Sequence, residues 1–535
     1  MGKGEGSGLS KNWHWLLTFV AIVLVLVLAI FLNIEHTDNT ATNIINTIDI
    51  DDGDTKINWS RYTPEEVELT DSLEITKPGI YHLTGSLEGS ISVNVLKEDP
   101  VKIILDNVTI KNESGPAIAC YEADDLVIEL IGENLLEDGS YYSADYDEDV
   151  TGVIYSKADL TFQGDGVLGL VANYQDGIVS KDDLKIKSGT YNIVANDDGI
   201  RGKDSVYILN GDFMIAAKAD AIKSSNENTQ GKGFVLIEDG EFSIEASAKG
   251  IKATNSILIK GGNFIIDSYD DAVHSNNYIG IKDGSFEISS SDDGMHADKE
   301  LIIDGGIVDV KKAYEGLEAQ AVTINGGKIS LETNDDGINA GGGADESSAN
   351  RVGAGVFDMN TDCVLTINGG EVYVNASGDG VDSNGYLYFN GGTTIIDGPT
   401  SNGNGALDSG SGIIMNGGEV IAVGASGMAE TLGSTSNVHN ISVYFTSTLS
   451  SGTEIVIKNS HDEVVLSHSA AKTFNHLSAG TTKFELGSTY TIYIDDEEYE
   501  EFTVSEITTV IGNTNSGFGP NSDQDRPQAP PDKKF

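Results

Sequence analysis

Paired carboxylates, or single ones in the equivalent place, recur along the middle of this chain at nearly fixed spacing. They read Gln175-Asp176-Gly177, Asp197-Asp198-Gly199, Ala219-Asp220-Ala221, Asp270-Asp271-Ala272, Asp292-Asp293-Gly294, Asp335-Asp336-Gly337 and Gly378-Asp379-Gly380. A second polar set follows a few residues later, including Asp182, Asp204, Asn226, Asn255, Asn277 and Asp298. If the repeats stack, these groups sit about 5 Å apart, where unit charges repel by roughly 1 kcal/mol in water and about 3 at an effective dielectric of 20. A calcium ion removes that repulsion, because it takes about six to eight oxygens from carboxylates and carbonyls. Ca2+ is therefore the expected cofactor. The simpler reading is that each pair is a solvated turn, since Asp-Gly is a common turn dipeptide. Asp145-Tyr146-Asp147-Glu148-Asp149 alternates carboxylates as calcium loops do, but lacks the glycine of loop position six.

The elements that must position these pairs follow from the repeat. Each pair precedes an apolar residue in the series Ile178, Ile200, Ile222, Ile251, Val273, Met295, Leu317, Ile338, Val381, Leu407 and Met428. The period is 22 residues, interrupted by seven inserted residues near Glu227–Gly233 and by a Gly-rich excursion at Gly341–Asp362. A fixed period in the twenties is the mark of a solenoid. Within each period a turn glycine (Gly189, Gly211, Gly262, Gly284, Gly306, Gly392, Gly418) separates two apolar-x-apolar triplets, such as Val206-Tyr207-Ile208 and Phe213-Met214-Ile215. These are short strands of period two. Helical periodicity and the asparagine-and-leucine ladder of leucine-rich repeats are both missing. The expected fold is all-β: a right-handed parallel β-helix of about 22 residues per coil, with three short strands in each. Phe213, Phe242, Phe264 and Phe286 should form an inner aromatic column, with Ile215, Ile244, Ile266 and Ile288 beside it. Val101–Ile110 and Ile118–Leu130 read as irregular leading coils, and Ile80–Val93 as a cap.

The chain has 535 residues, and 32 Lys plus Arg against 84 Asp plus Glu leave a net charge of −52. That excludes nucleic-acid binding through a general basic surface, which needs Lys and Arg to displace counterions. Cys120 and Cys363, the two cysteines, read as buried thiols and offer neither a disulfide scaffold nor a Cys-based zinc site. Leu16–Leu32 is almost unbroken aliphatic, with Trp13 and Trp15 at its leading edge, Lys3 and Lys11 before it and Glu35 and Asp38 after it. It has the length of a membrane-spanning helix, and the positive-inside rule puts the remainder of the chain outside the cell. The expected organisation is a cytoplasmic tail over 1–12, a transmembrane anchor over 13–32, a linker over 33–60, the β-helix over 61–434, a small β-sandwich-like module over 435–511 and a disordered tail over 512–535.

The runs Tyr155-Ser-Lys-Ala-Asp-Leu, Asp176-Gly-Ile-Val-Ser-Lys-Asp-Asp-Leu and Asp197-Asp-Gly-Ile-Arg-Gly-Lys-Asp resemble a bacterial cell-surface family of carbohydrate-binding β-helix proteins. Asn402-Gly-Asn-Gly-Ala-Leu-Asp and Gly424-Ala-Ser-Gly-Met-Ala resemble the same family's closing coils, so the likeness covers about residues 65–505. It implies a pectate-lyase-like fold, calcium at Asp-rich turns, and binding of cellulose-like and pectic polysaccharides without established catalysis. By motif it implies calcium at Asp176, Asp182, Asp183, Asp197, Asp198 and Asp204. The chain departs from the pattern at Gln175, and at Ala248-Lys249-Gly250, where Lys249 puts a cation on one rung. The spacing alone adds Asp220, Asp270, Asp271, Asp292, Asp293, Asp298, Asp335 and Asp336 as candidate metal ligands.

A polysaccharide is the expected partner. Residues at the middle of the strand before each turn should face outward: Lys185, Tyr207, Leu236, Leu258, Gly280, Ile302, Thr323, Thr366, Tyr388 and Ile414. Such an apolar stripe is either a flat binding surface, with Tyr207, Tyr388 and Lys185 as sugar contacts, or a surface covered by other parts of the chain. Two other functions compete. In a calcium-dependent lyase, Arg201 and Lys203, with Lys181 one coil earlier, would be the base that removes the proton beside a uronate carboxyl; as plain neutralisers of acidic neighbours they need no such role. In an adhesin or spacer, calcium only stiffens the coils. His274 and His296 lie one period apart and should stack, a weak zinc signal.

Overall fold

The computed structural model of the protein describes residues 53–341 and 362–512. Its strands form three parallel sheets that advance one rung per repeat. On the first sheet Ile178 pairs with Ile200, and the register continues through Ile222, Ile251, Val273, Met295, Leu317, Ile338, Val381 and Leu407. The second sheet stacks Leu184 on Val206, Val235, Ile257 and Ile279. The third stacks Tyr191, Phe213, Phe242, Phe264 and Phe286. Pairing continues from Ile222 to Ile251 and from Ile338 to Val381, the two places where the period is interrupted, so the 22-residue spacing is the pairing register itself. Helix is confined, among the described residues, to Gly53–Lys56 and a 3-10 turn at Trp59–Arg61.

Period-two alternation sends every second side chain into the coil, where residues of one column meet across rungs. Tyr191, Phe213, Phe242, Phe264 and Phe286 stack with ring centroids 4.9, 4.8, 4.6 and 4.6 Å apart. Ile215, Ile244, Ile266 and Ile288 line up next to them, all buried. Gly262, at φ +105, turns the chain between the second and third sheets where a side chain would be strained. An outer column adds a polar ladder that the period did not reveal. Asn325, Asn368, Asn390, Asn416 and Asn437 each donate from Nδ2 to the residue one rung below, the first of them to Asp304, at 2.7–2.8 Å.

Several expectations change. Ile80–Val93 is no cap. Gly79–Glu88 pairs in parallel with Glu65–Leu69 on one side and with Val101–Lys111 on the other, so regular pairing starts near Glu65. These early strands pass from the second sheet to the third without a break, and Asn107, at φ 55, takes the corner where later coils use glycine. Met428 is exposed and lies outside any strand, so it does not anchor a last rung. On the supposed outward stripe Leu236, Leu258 and Ile302 are fully buried and cluster with Phe234 and half-buried Tyr207, so this part of the stripe is not a free surface.

The closing module is joined to the coils. Phe474–Thr481 runs antiparallel to both Glu419–Gly424, the last strand of the third sheet, and Asn440–Leu449. A four-stranded antiparallel sheet packs with it around Ile457, Phe474, Leu477 and Ile492, covering the end of the solenoid as an open stack of strands requires. The expected membrane anchor at 13–32 lies outside the described residues. Among the described residues no helix is long and apolar enough to cross a membrane.

Candidate functional site

The acidic corners do lie over one another. One carboxylate of each pair turns inward and its Oδ1 accepts the backbone N–H of the equivalent residue on the next rung. Asp176 receives Asp198, Asp198 receives Asp220 and Asp220 receives Lys249, each at 3.1 Å. The column resumes with Asp271 receiving Asp293 at 3.1 Å, Asp293 receiving Glu315 at 3.2 Å and Asp336 receiving Asp379 at 2.6 Å. Asp176, Asp198, Asp220, Asp271, Asp293 and Glu315 are all buried. Their partners Asp197, Asp270 and Asp335 are less enclosed, whereas Asp292 is buried too.

A buried carboxylate needs a counter-charge, and the neighbouring column of the first sheet supplies it. That column runs Val179, Arg201, Lys223, Lys252, His274, His296. Arg201 Nη2 lies 2.6 Å from Asp176 Oδ2, Lys223 Nζ 3.1 Å from Asp198 and 2.9 Å from Asp220, and Lys252 Nζ 3.9 Å from Asp220. Lys249, in the acidic column itself, reaches Asp271 at 2.7 Å and Asp270 at 2.9 Å. His274 and His296 stack at 5.2 Å; their Nδ1 atoms lie 2.8 Å from Asp271 and 3.3 Å from Asp293. His296 also meets Glu318 at 2.8 Å and Asp298 at 3.4 Å, and these carboxylates raise its pKa against the opposing effect of burial. Burial raises Asp176 and pushes Asp198 up to about 6; Asp271, buried as it is, is held low by His274 and Lys249. From Asp176 to Asp271, then, much of the repulsion expected to call for a divalent ion is relieved by the protein's own cations and backbone, whereas burial, and beyond it Asp271, Glu315 and Glu318, still raises Asp293 well above the carboxylate range despite His296. Arg201, bound to Asp176 and to Thr151 Oγ1 at 2.8 Å, is placed as a counter-ion.

Among the described residues, two further places gather carboxylates that these cation columns do not reach. The first lies at the start of the second sheet. Asp159, Asp182 and Asp183 bring ligand oxygens within 4.8 Å of one another, and Asp204 follows Asp182 in the same column. Burial, then Asp182 and Asp183, pushes Asp159 up to about 8; burial, then Asp204, pushes Asp182 up to about 6. Lys232, carried in by the seven-residue insertion, is bonded to Asp183 Oδ2 at 2.8 Å. Asp183 Oδ1 is buried without a hydrogen-bond partner. An orphaned anionic oxygen facing other carboxylates fits a hard cation with oxygen ligands.

The second lies where the cation column changes sign. After His296 it continues as Glu318, Asn339, Asp382 and Asp408. Asp336, Asp379 and Asp382 converge within 4.8 Å. Burial, then Glu315 and Asp379, raises Asp336 well above the carboxylate range; burial, then Asp408 and Asp335, pushes Asp379 up to about 7; burial, then Asp408 and Asp379, pushes Asp382 up to about 8; Glu430 is pushed up to about 8 by burial, then by Asp408 and Asp379. Gly378 leaves open the point where Asp335 and Asp336 meet: a Cβ there would lie 2.3–2.4 Å from their oxygens.

Other expected site residues scatter. Lys203 is exposed, and Lys181 lies 3.6 Å from Asp149. Tyr207 has Lys185 over its ring at 5.9 Å and its hydroxyl on Glu238 at 3.3 Å, and Tyr388 is half-buried beside Tyr386. In the run Asp145–Asp149 the carboxylates take different partners: Asp147 pairs with Lys157, and Asp149 with Tyr155 and Lys181. Asp159, Asp382, Asp408 and Glu430 were missed. Asp159 precedes Leu160, which pairs with Leu184, just as Asp183 precedes Leu184 one rung on; the run Tyr155–Leu160 carried this signal but was read only for its resemblance.

A carbohydrate-binding domain-containing protein of Acetivibrio thermocellus is 35% identical over 128 residues, which is 23% of this chain and 45% of that one. The match thus spans less than half of the relative's length. A solved polysaccharide lyase-like protein from C. thermocellum, studied as a gadolinium derivative, aligns at 32% identity over 39% of this chain and 87% of its own, with a TM-score of 0.39. The family model described as carbohydrate-binding domain-containing protein matches residues 70–337, the stretch that holds the ladder from Asp176 to Asp336 and the first carboxylate centre. The chain belongs to that family of carbohydrate-binding domain-containing proteins.

Proposed function

We propose that the protein is a calcium-dependent, non-catalytic binder of plant-type polysaccharide, cellulose-like or pectic, held at the cell surface by an N-terminal membrane anchor. The observation that carries the calcium reading is Asp183 Oδ1, buried and unpartnered among Asp159, Asp182 and Asp204. Asp159, Asp182, Asp183 and Asp204 would hold one ion, and Asp335, Asp336, Asp379 and Asp382 a second. Calcium bound there supplies the positive charge that the cation column lacks, and on an acidic polymer it can bridge protein and uronate carboxylates. Family membership supports the sugar; Tyr388 and Tyr207 are its proposed contacts on the second sheet. The apolar run 16–32, with lysines before and acids after, supports the anchor.

Retention on insoluble cellulose and on pectate, with calcium and with chelator, tests the reading. Calcium-dependent retention without any unsaturated uronate product is the expected result. A protein that ignores both polymers is a spacer, and one that releases unsaturated product is a lyase; either result ends the proposal.

A further inference from the structure

Between Glu133–Glu137 and Gly152–Ser156 the chain makes an excursion, residues 138–151, that touches the ladder only at its end, through Thr151, and lies apart from the two carboxylate centres. It is held firmly. Tyr142 Oη lies 2.8 Å from Asp138 Oδ2 and 2.9 Å from the Gly152 carbonyl, and the Tyr155 hydroxyl donates to Asp149 Oδ2 at 3.0 Å. Val150, Tyr155 and Val179 are buried beneath it, with Tyr121, Tyr142 and Tyr146 packed against them. Tyr142 stacks on Tyr174 at 4.4 Å and tilts against Tyr146 at 5.7 Å. Tyr121, Tyr146 and Tyr174 remain half-exposed, and Tyr141 is 60% exposed. Tyrosines fixed by their neighbours offer ring faces and hydroxyls at little further cost in conformational freedom.

The charge around this rim selects the ligand. Asp145, Asp147 and Glu148 are exposed beside the rings; of the nearby cations, Lys157 lies 3.4 Å from Asp147, Lys181 3.6 Å from Asp149, and Arg201 is held at Thr151 and buried Asp176. Carboxylates accept hydrogen bonds from sugar hydroxyls but repel a uronate. A pyranose presents C–H groups on its faces, which pack on the electron-rich face of a ring. We infer that the tyrosine-rimmed excursion at 138–151 is a stacking subsite for a neutral, hydroxyl-rich polysaccharide of the glucan class. This rests on the carbohydrate-binding reading above and adds to it a place and a charge preference. Tyr207, with Lys185 over its ring, is a poorer platform.

The full chain is tested in calcium on insoluble cellulose, on soluble cello-oligosaccharide by calorimetry, and on pectate. Tyr141→Ala, which removes an exposed ring and leaves the fold intact, should weaken cello-oligosaccharide binding about three- to tenfold, one stacking contact. Tyr174→Ala should do the same while Tyr174→Phe, which keeps the ring, binds within about twofold of the parent. Pectate retention should be unchanged in all three. Parent-like cellulose binding by both alanine variants would overturn the subsite and leave the carbohydrate function standing. A parent protein that binds pectate but no neutral glucan overturns the ligand class. If the parent binds neither polymer, the function and the subsite fall together.

Discussion

Arg201 Nη2 sits 2.6 Å from Asp176 Oδ2, one rung away in the adjacent column, while Asp176 Oδ1 accepts the Asp198 N–H at 3.1 Å. Both oxygens of a buried carboxylate are thus satisfied by the protein. A guanidinium committed to such a pair is engaged as a counter-charge. Arg201→Met should therefore cost stability, about 3 kcal/mol, because it leaves Asp176 buried without its counter-charge. Urea denaturation of Arg201→Met and of the double variant with Asp176→Asn checks this: the second change should restore most of the loss. Equal stability of the parent and Arg201→Met would remove the counter-ion role.

Calcium should stabilise the folded chain by mass action, roughly 2.7 kcal/mol at a hundredfold excess over Kd. Asp183→Asn and Asp382→Asn should each lower the number of ions bound, measured by calorimetric titration. Asp198→Asn, in the stretch neutralised by Lys223, should leave that number unchanged. Loss of an ion from the Asp198 variant alone would put the metal in the wrong part of the ladder.

In chelator the protein should lose stability as pH rises from about 4 to about 8. Asp159, Asp382 and Glu430 are pushed up to about 8 and Asp379 to about 7, mainly by burial. Across that window the folded state keeps protons that the unfolded chain has released, so the unfolding free energy falls with pH and levels off above the folded values. Saturating calcium displaces those protons and should flatten or reverse the slope. Thermal melts at pH 5, 6, 7 and 8 with and without calcium provide the comparison, and matching slopes in the two series would contradict it.

Phe264→Ala should destabilise by about 3–5 kcal/mol, since it opens a gap in the aromatic column between Phe242 and Phe286. Phe264→Leu should cost less, because it keeps most of the volume. Guanidinium midpoints of the two variants separate a cavity from a loss of ring stacking.

Period and pattern alone determined the strands, the register from Ile178 to Leu407, the stacked phenylalanines and the single acidic column, because one solenoid repeat places like residues over like. What they could not supply was the partner of each carboxylate. Arg201, Lys223 and His296 come from a column three residues further on, and whether they meet Asp176, Asp220 and Asp293 depends on which face each side chain takes. The regular early coils were hidden because Asn107 turns where glycine was sought. Likewise Lys232 enters the Asp183 centre from an insertion that the repeat treats as noise, and only folding brings it within 2.8 Å. Composition and spacing set where negative charge accumulates; three-dimensional packing decided which of it is cancelled from within, since electrostatic pairing depends on distances of a few ångströms that a linear order does not specify.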